Sequence, residues 1–308
     1  MTKTETNIVL FSITLCWASS YVFMKNLPSD FSSFAYLAIT SGIASAIFLV
    51  VFFKRLKGFN KSLLVKSFLT SVVLSITLIF EKLGVASIPA SQASFIASLN
   101  IVIVPVLLLF FRKRPTRNNL LGIAFILAGL FFTSGVKLGA GQMNAGVLYM
   151  LAACVTTSVY TLMIDRYAKD SDPLLLGIGQ MIFSTVIGLV LWFFETPSLF
   201  ATIHFTKILI ANIFLLAFFA KAYAYIMLMY SQKYANPISV TVIAATEPII
   251  TLILASLIPS TFGTSEVFTI TKLTGALLIA IGAFCAGTNF LDRKGGHSFD
   301  RAHSTVRS

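Results

Sequence analysis

Long apolar runs alternate with short polar connections along almost the whole chain. Each run contains roughly the ~20 residues that an α-helix needs to cross about 30 Å of hydrocarbon. Membrane-spanning β-strands would instead alternate polar and apolar positions over about 10 residues, and these runs do not. The pattern therefore predicts ten transmembrane helices, with approximate bounds at 8–26, 33–53, 66–84, 93–111, 119–137, 145–165, 174–194, 206–229, 238–258 and 271–289.

The composition is that of a chain surrounded by lipid. The 308 residues are 57% hydrophobic and 11% charged, whereas soluble domains contain roughly 25% charged residues. The formal net charge of +12 is spread over short connections, which argues against nucleic acid as a partner. The three cysteines have neither disulfide nor metal spacing, and we expect no cofactor and no metal. These observations predict an all-α integral membrane protein.

The lysines and arginines predict an orientation. If the N-terminus is cytoplasmic, 17 of the 23 basic residues fall on the inner side and five in outer loops; the last, Lys221, lies inside the eighth segment. An excess of basic residues is typical of cytoplasmic loops. We therefore predict a multi-pass protein of the cell (plasma or inner) membrane with both termini cytoplasmic. The first apolar run is interpreted as a retained helix and not as a signal peptide.

The two halves of the chain contain a weak internal repeat. The stretch ASFIASLNIVIVPVLLL (93–109) aligns with SVTVIAATEPIITLILA (from 239) when Asn100 is set against Glu247. Five helices per half would give the second half the opposite orientation, as in inverted-repeat transporters. Glycines of the next segments then correspond, Gly122 to Gly275 and Gly129 to Gly282. The predicted organisation is a first repeat over 1–138, a second over 139–290, and a disordered basic cytoplasmic tail over 291–308.

Glu247 and Pro248 interrupt the apolar run VIAATEPIITLIL near the middle of the ninth segment. The proline removes a backbone hydrogen bond and leaves the carbonyl of Ala244 without its helical donor. A charged residue at mid-membrane costs about 2.5–3.5 kcal/mol on insertion scales, and such residues generally face a cavity or a partner. We expect Glu247 to bind substrate or couple transport at a helix break. The alternative is a structural kink with a protonated Glu247.

Other residues could line the same cavity. Lys221 could pair with Glu247 across consecutive antiparallel helices, or could extend to the cytoplasmic interface. Trp17 and Tyr21 lie on one stripe of the first helix, as an aromatic wall or as ordinary packing. Glu81 is interpreted as the outer end of the third helix, or else as facing the vestibule. The remaining candidates for substrate binding or coupling are Asn100, Tyr225, Tyr160 and Gln180.

Four stretches carry a family resemblance: LCWASSYVFMKNLP (15–28), ASQASFIASLNIVIVP (90–105), VYTLMIDRYAKDSDPLLLGIGQ (159–180) and YSQKYANPISVTVIAATEP (230–248). They resemble the drug/metabolite transporter superfamily, specifically its EamA-type members with ten helices. The resemblance spans residues 8–289 and implies export of amino acids, related metabolites or drugs more often than uptake. Two features depart from the family pattern: AYLAITSG (35–42) lacks an arginine, and FFRKRPT and LIPSTFG lack an acidic residue.

The sequence thus predicts a secondary transporter of a small organic metabolite (amino acid-like, amine or drug-like). It would export its substrate by alternating access around a midplane cavity, with protons as the candidate coupling ion. The expected partners are that substrate and the lipid bilayer, and we expect a monomer or homodimer. An uptake permease of the same fold and a channel or non-transporting scaffold are the alternatives. No P-loop indicates direct ATP use, and the three histidines lie in a loop and the tail, so we do not expect an enzyme.

Overall fold

The computed structural model describes residues 1–28, 31–110, 115–133, 144–195, 205–258 and 269–287. All regular structure in these residues is helical. The predicted repeat boundary at 138/139 and the predicted tail over 291–308 lie outside the described residues. The helices are α1 (Lys3–Lys25), α2 (Ser33–Val51), a 3₁₀ turn (Phe53–Gly58), α3 (Lys61–Ser87), α4a (Ala90–Ala97), α4b (Asn100–Phe110), α5 (Arg117–Thr133), α6 (Ala145–Tyr167), α7 (Pro173–Phe194), α8 (Lys207–Gln232), α9a (Pro237–Ala244), α9b (Glu247–Leu257) and α10 (Ile270–Gly287).

Polar residues between the apolar runs cap the helices and so determine where they begin. The Asn60 side chain accepts a hydrogen bond from the Leu63 amide at 2.9 Å, which starts α3. Asp172 caps α7 in the same way, and Pro173 takes the first helical position, where its missing N–H leaves no helical bond unmade. α3 begins at Lys61, after the Asn60 cap, and ends at Ser87, so it extends beyond its predicted segment, 66–84, at both ends. Glu81 therefore lies inside α3 and not at its outer end.

Among the described residues, eight helices are long and apolar enough to cross a bilayer: α1 to α3, α4a with α4b, and α6 to α9 with its two parts. Two further helices, α5 with 17 residues and α10 with 18, are shorter. The all-α membrane fold is thus confirmed, whereas the count of ten spans stays a prediction.

Helix packing repeats between the two halves of the chain. The most extensive contacts join α5 to α10, α3 to α6 and α2 to α7, and α1 packs against α8 and α9b. A hydroxyl pair crosses the α3–α6 contact, where Thr77 donates to Thr156 at 2.8 Å. A second pair crosses the α1–α8 contact, between Ser12 and Tyr223 at 2.8 Å. Each of these contacts therefore joins one helix of the first half to one helix of the second.

The fourth and ninth helices are both interrupted at the same point of the repeat alignment. Two non-helical residues, Ser98–Leu99 and Ala245–Thr246, separate the halves of each helix. Asn100 is the first residue of α4b, and Glu247 is the first residue of α9b. Backbone hydrogen bonds around the two breaks also correspond. Before the break, the Ser98 amide donates to the Ser94 carbonyl, as the Ala245 amide does to Thr241. After it, the Val102 amide donates to the Leu99 carbonyl, as the Ile249 amide does to Thr246. The predicted break at Pro248 is present, and α4 breaks without a proline at the equivalent position, Ile101.

Lys25 closes the end of α3. Its ammonium donates to the carbonyl oxygens of Val85 at 3.1 Å, Ala86 at 3.2 Å and Ile88 at 3.1 Å. The last carbonyls of a helix have no partner within the helix, and a cation also interacts favourably with that end. Lys25 therefore joins α1 to α3 as a structural residue.

Replacing Lys25 with methionine should lower stability by about 2–4 kcal/mol, because charge-assisted hydrogen bonds to three partly buried carbonyls are lost together. Thermal unfolding of the purified protein measures this effect. Lys57→Met, at an exposed position of the 3₁₀ turn, is the matched control and should leave the melting temperature unchanged. Equal melting temperatures for the two variants would remove Lys25 from the structural framework.

A candidate substrate cavity between the two halves

A cavity lined by both polar and apolar side chains lies inside the helix bundle. Residues of α1, α2, α3, α4, α6, α8 and α9 line it, and the cavity volume is about 60 Å³. That volume holds a few waters in this conformation. The polar and aromatic lining residues are Trp17, Ser20, Tyr21, Tyr36, Thr77, Glu81, Ser98, Asn100, Thr157, Tyr160, Thr161, Lys221, Tyr225, Thr241 and Glu247.

Most of the residues proposed from the sequence meet at this cavity. Seven line it directly, and they come from five helices that are distant in sequence: Trp17, Tyr21, Asn100, Tyr160, Lys221, Tyr225 and Glu247. Gln180 lies one layer behind, fully buried, where its Oε1 accepts a hydrogen bond from the Tyr160 hydroxyl at 3.1 Å. Pro248 is buried next to Glu247 at the start of α9b.

Three acidic or basic side chains of the described residues line the cavity, each from a different helix. Glu81 comes from α3, Lys221 from α8 and Glu247 from α9b. Lys221 is 2% exposed and Glu247 is 8% exposed, so Lys221 does not extend to an interface. For Glu81, the sequence favoured the outer end of the third helix, and a position facing the cavity was the alternative. Its signal was an acid near the end of an apolar run, and only the observed length of α3 places it in the interior.

The hypothesised ion pair between Lys221 and Glu247 is not formed. Within the described ranges, both ion pairs that occur lie elsewhere: Arg55 with Asp172, and Lys169 with Asp165. The carboxylate that acts most strongly on Lys221 is Glu81, and Glu81 also acts on Glu247. The physical reason lies in the helix packing, because the Lys221 side chain lies against the Tyr36 ring of α2 although α8 and α9 are consecutive in the chain.

Aromatic rings form one wall of the cavity around Lys221. Its nitrogen lies 5.2 Å from the ring centroid of Tyr36 and 5.5 Å from that of Tyr225. The Tyr225 ring is 5.7 Å from Trp17 and 6.0 Å from Tyr160. Tyr36 was not predicted as a cavity residue from the sequence. The stretch AYLAITSG (35–42) was noted only because it lacks an arginine. A lone tyrosine in an apolar run carries no signal of its facing direction.

Lys221 also lies in an unusual part of its helix. Residues Leu216–Tyr223 of α8 form a π-helical segment between two α-helical parts, Lys207–Leu215 and Ala224–Gln232. π-Helical segments are rare and are frequent at functional sites. No sequence feature indicates this segment, because its apolar pattern is continuous with that of the flanking helix.

Several buried polar atoms of the cavity wall have no hydrogen-bond partner among the described residues. They are the indole Nε1 of Trp17, the hydroxyl of Tyr36 and the Oδ1 of Asn100. The set includes a donor, a group that can donate or accept, and an acceptor. Buried polar atoms are normally satisfied, so these three mark positions where water or a ligand completes the bonding. In the same described part of the chain, no three metal-ligating side chains gather.

The architecture defines the class of protein. It is a multi-pass helical membrane protein with acidic and basic side chains lining a cavity between its broken helices. Comparison with known proteins specifies the family. The sequence profile of the EamA-like transporter family matches residues 5–135 and again 144–288. The chain therefore belongs to the EamA-like transporter family, a family of membrane transporters of small molecules and not of enzymes.

A solved structure supports the same fold. The structure, named only "Crystal structure of protein", is similar to this chain with a TM-score of 0.70 at 16% sequence identity. The similarity covers 96% of this chain and 100% of that chain. At this identity the likeness concerns the fold alone. A search of curated proteins found no match.

Proposed function

We propose that this protein is a secondary transporter and that the central cavity is its substrate site. The observation that carries the proposal is the pair of broken helices. Asn100 is the first residue of α4b, Glu247 is the first residue of α9b, and both line the same cavity. Transporters built from inverted repeats bind substrate near mid-membrane, at discontinuous helices from both halves. The two matches to the family profile and the recurring helix pairs support two repeats of five helices, 1–138 and 139–290, in opposite orientations.

The cavity chemistry favours a small polar substrate. Glu247 and Glu81 offer carboxyl groups, Lys221 offers an ammonium, and Asn100 and Trp17 offer unpaired hydrogen-bonding atoms. A small amine or amino acid-like metabolite could use several of these groups at once. A carboxyl group at mid-membrane can also hold a proton, which supports protons as the coupling ion.

The location and direction that we propose follow from charge and family. The 17 basic residues on one side favour a cell-membrane protein with both termini in the cytoplasm. The resemblance to EamA-type transporters favours export over uptake.

Transport into proteoliposomes tests the proposal. A panel of labelled amino acids, amines and toxic organic cations should include a substrate whose uptake is saturable and is accelerated by unlabelled substrate preloaded on the other side. Exchange of this kind follows from alternating access, because a binding site loaded with substrate reorients across the membrane faster than an empty one. An imposed pH gradient should change the steady level of that substrate if protons are coupled. Flux without saturation or exchange indicates a channel. If no compound of the panel binds or is transported, the protein is a scaffold.

A further inference from the structure

The ammonium of Lys221 occupies an aromatic enclosure inside the cavity. Its nitrogen lies within 5.5 Å of the ring centroids of both Tyr36 and Tyr225, and Trp17 and Tyr160 stand against the Tyr225 ring. We call these four side chains the aromatic cage. Aromatic faces attract cations within about 6 Å of the ring centroid, and more strongly where water is excluded. With Lys221 2% exposed, the cage is a site for a positive charge.

Lys221 is held there without a direct polar bond. Among the described residues, no carboxylate oxygen lies within 4.0 Å of its nitrogen and no hydrogen bond joins it. Lys25 is the contrast, since its ammonium donates to three carbonyls at 3.1–3.2 Å. The ring faces of Tyr36 and Tyr225 contact Lys221, and Glu81 lines the same cavity. Any small ammonium group could make the same interactions in its place.

The charge balance of the cavity favours a further cation. The part of its lining that the structure describes contains two carboxyl groups, Glu81 and Glu247, and one ammonium, Lys221. Buried charges persist only when they are paired with an opposite charge or neutralised by a proton. The cavity can therefore accept one more positive charge without an excess of cations.

The π-helical segment gives Lys221 a way to move. A π-helical turn contains one residue more than an α-helical turn, so a shift of the extra residue along Leu216–Tyr223 rotates the side chains within it. The flanking helical parts need not change. The Lys221 side chain can thus leave the cage while α8 keeps its packing.

We propose that the aromatic cage is a cation subsite and that Lys221 is its tethered occupant. A ligand with a small primary ammonium group displaces the Lys221 ammonium from between Tyr36 and Tyr225. This inference rests on the cavity being the substrate site proposed above, and it adds the chemical group by which the substrate is recognised.

Removal of the tethered ammonium tests the inference. The chain has two tryptophans, so Trp192→Phe leaves Trp17 of the cage as the sole tryptophan, whose emission is the reporter. Ethylammonium chloride is titrated against sodium chloride of equal ionic strength, into purified Trp192→Phe and Trp192→Phe/Lys221→Ala. The Lys221→Ala protein should show a saturable change in Trp17 emission and a melting temperature raised by about 3 °C near ten times its Kd. The protein that retains Lys221 should need at least about tenfold more amine, because its own ammonium competes.

A matched pair of variants separates the ring face from the hydroxyl. Tyr36→Phe keeps the ring and removes only a hydroxyl that has no partner among the described residues. Tyr36→Leu removes the ring. In the Lys221→Ala background, amine binding should survive Tyr36→Phe and be lost in Tyr36→Leu. If Lys221→Ala does not yield folded protein, the same two substitutions are compared with Lys221 present, at the higher amine concentrations.

Two results overturn the inference: equal amine affinity with and without Lys221, or binding that survives Tyr36→Leu. The readout requires no transport, so it separates the two proposals. Failure of amine binding beside saturable, exchangeable flux of a substrate rejects the cage and keeps the transporter. Cage-dependent amine binding without flux of any compound keeps the subsite and rejects transport.

Discussion

Glu247→Gln should give a folded protein that has lost at least about nine-tenths of its transport. Glutamine keeps the shape of the side chain, so the break between α9a and α9b and the packing of Pro248 are retained. The substitution removes the carboxylate that α9b presents at its first residue, 8% exposed, to the cavity. A group that binds the substrate or carries a proton cannot be replaced by a neutral amide without loss of that step. Flux in proteoliposomes, at matched protein content, measures the effect.

Two controls separate this loss from a general defect. Asp170→Asn removes an exposed acid from the α6–α7 connection and should transport like the wild type. The melting temperature of Glu247→Gln should stay near that of the wild type, which shows that the fold is intact. Near-normal flux in Glu247→Gln, with an unchanged response to a pH gradient, would exclude Glu247 from the mechanism. The substrate site would then be assigned to Trp17, Asn100 and their neighbours.

Gly282→Val should destabilise the protein by about 3 kcal/mol or more. A Cβ atom at Gly282 would lie 2.7 Å from the Gly122 carbonyl oxygen and 2.9 Å from the Ile126 amide nitrogen. Both obstacles belong to the backbone of α5, so no side-chain rotation relieves the overlap and the two helices must separate. Overpacking of a fitted contact typically costs 1–3 kcal/mol, and close helix approach in membranes depends on small residues. Thermal or denaturant-induced unfolding in detergent measures the loss.

The contact is reciprocal, which gives a sharper test. A Cβ at Gly129 would lie 2.6 Å from the Gly275 carbonyl oxygen, so Gly129→Val should cost a similar amount. The same separation of α5 from α10 accommodates both substitutions. The double variant should therefore lose clearly less than the sum of the two single losses. Additive losses would mean that each glycine is required separately, for its own local packing.

A glycine with space around it provides the control. At Gly42, in α2, an added Cβ would meet only Thr185 Cγ2 at 3.4 Å, an ordinary contact. Gly42→Ala should leave stability unchanged or raise it, since alanine favours a helix by roughly 0.5–1 kcal/mol over glycine. A loss at Gly42 equal to that at Gly282 would contradict the explanation by close backbone approach.

The sequence by itself predicted the helices and the break in the ninth. Apolar runs of about twenty residues have one stable structure in lipid, because every backbone polar group must be satisfied within its own segment. Glu247-Pro248 predicted the interruption because proline lacks an N–H. Register across the halves paired Asn100 with Glu247 and the four glycines of α5 and α10. These features are local or periodic, and local chemistry suffices to read them.

Only the tertiary structure decided which side chains share the cavity. Tyr36 and Glu81 lie there because of how α2 and α3 are rotated and how far α3 extends, and periodicity in an almost uniformly apolar run does not reveal rotation. The partner of Lys221 was predicted from neighbours in the chain as Glu247, whereas packing brought Lys221 to Tyr36, Tyr225 and the field of Glu81. In lipid the apolar pattern tells a helix from a loop, but the direction of each polar residue depends on contacts between helices far apart in the chain.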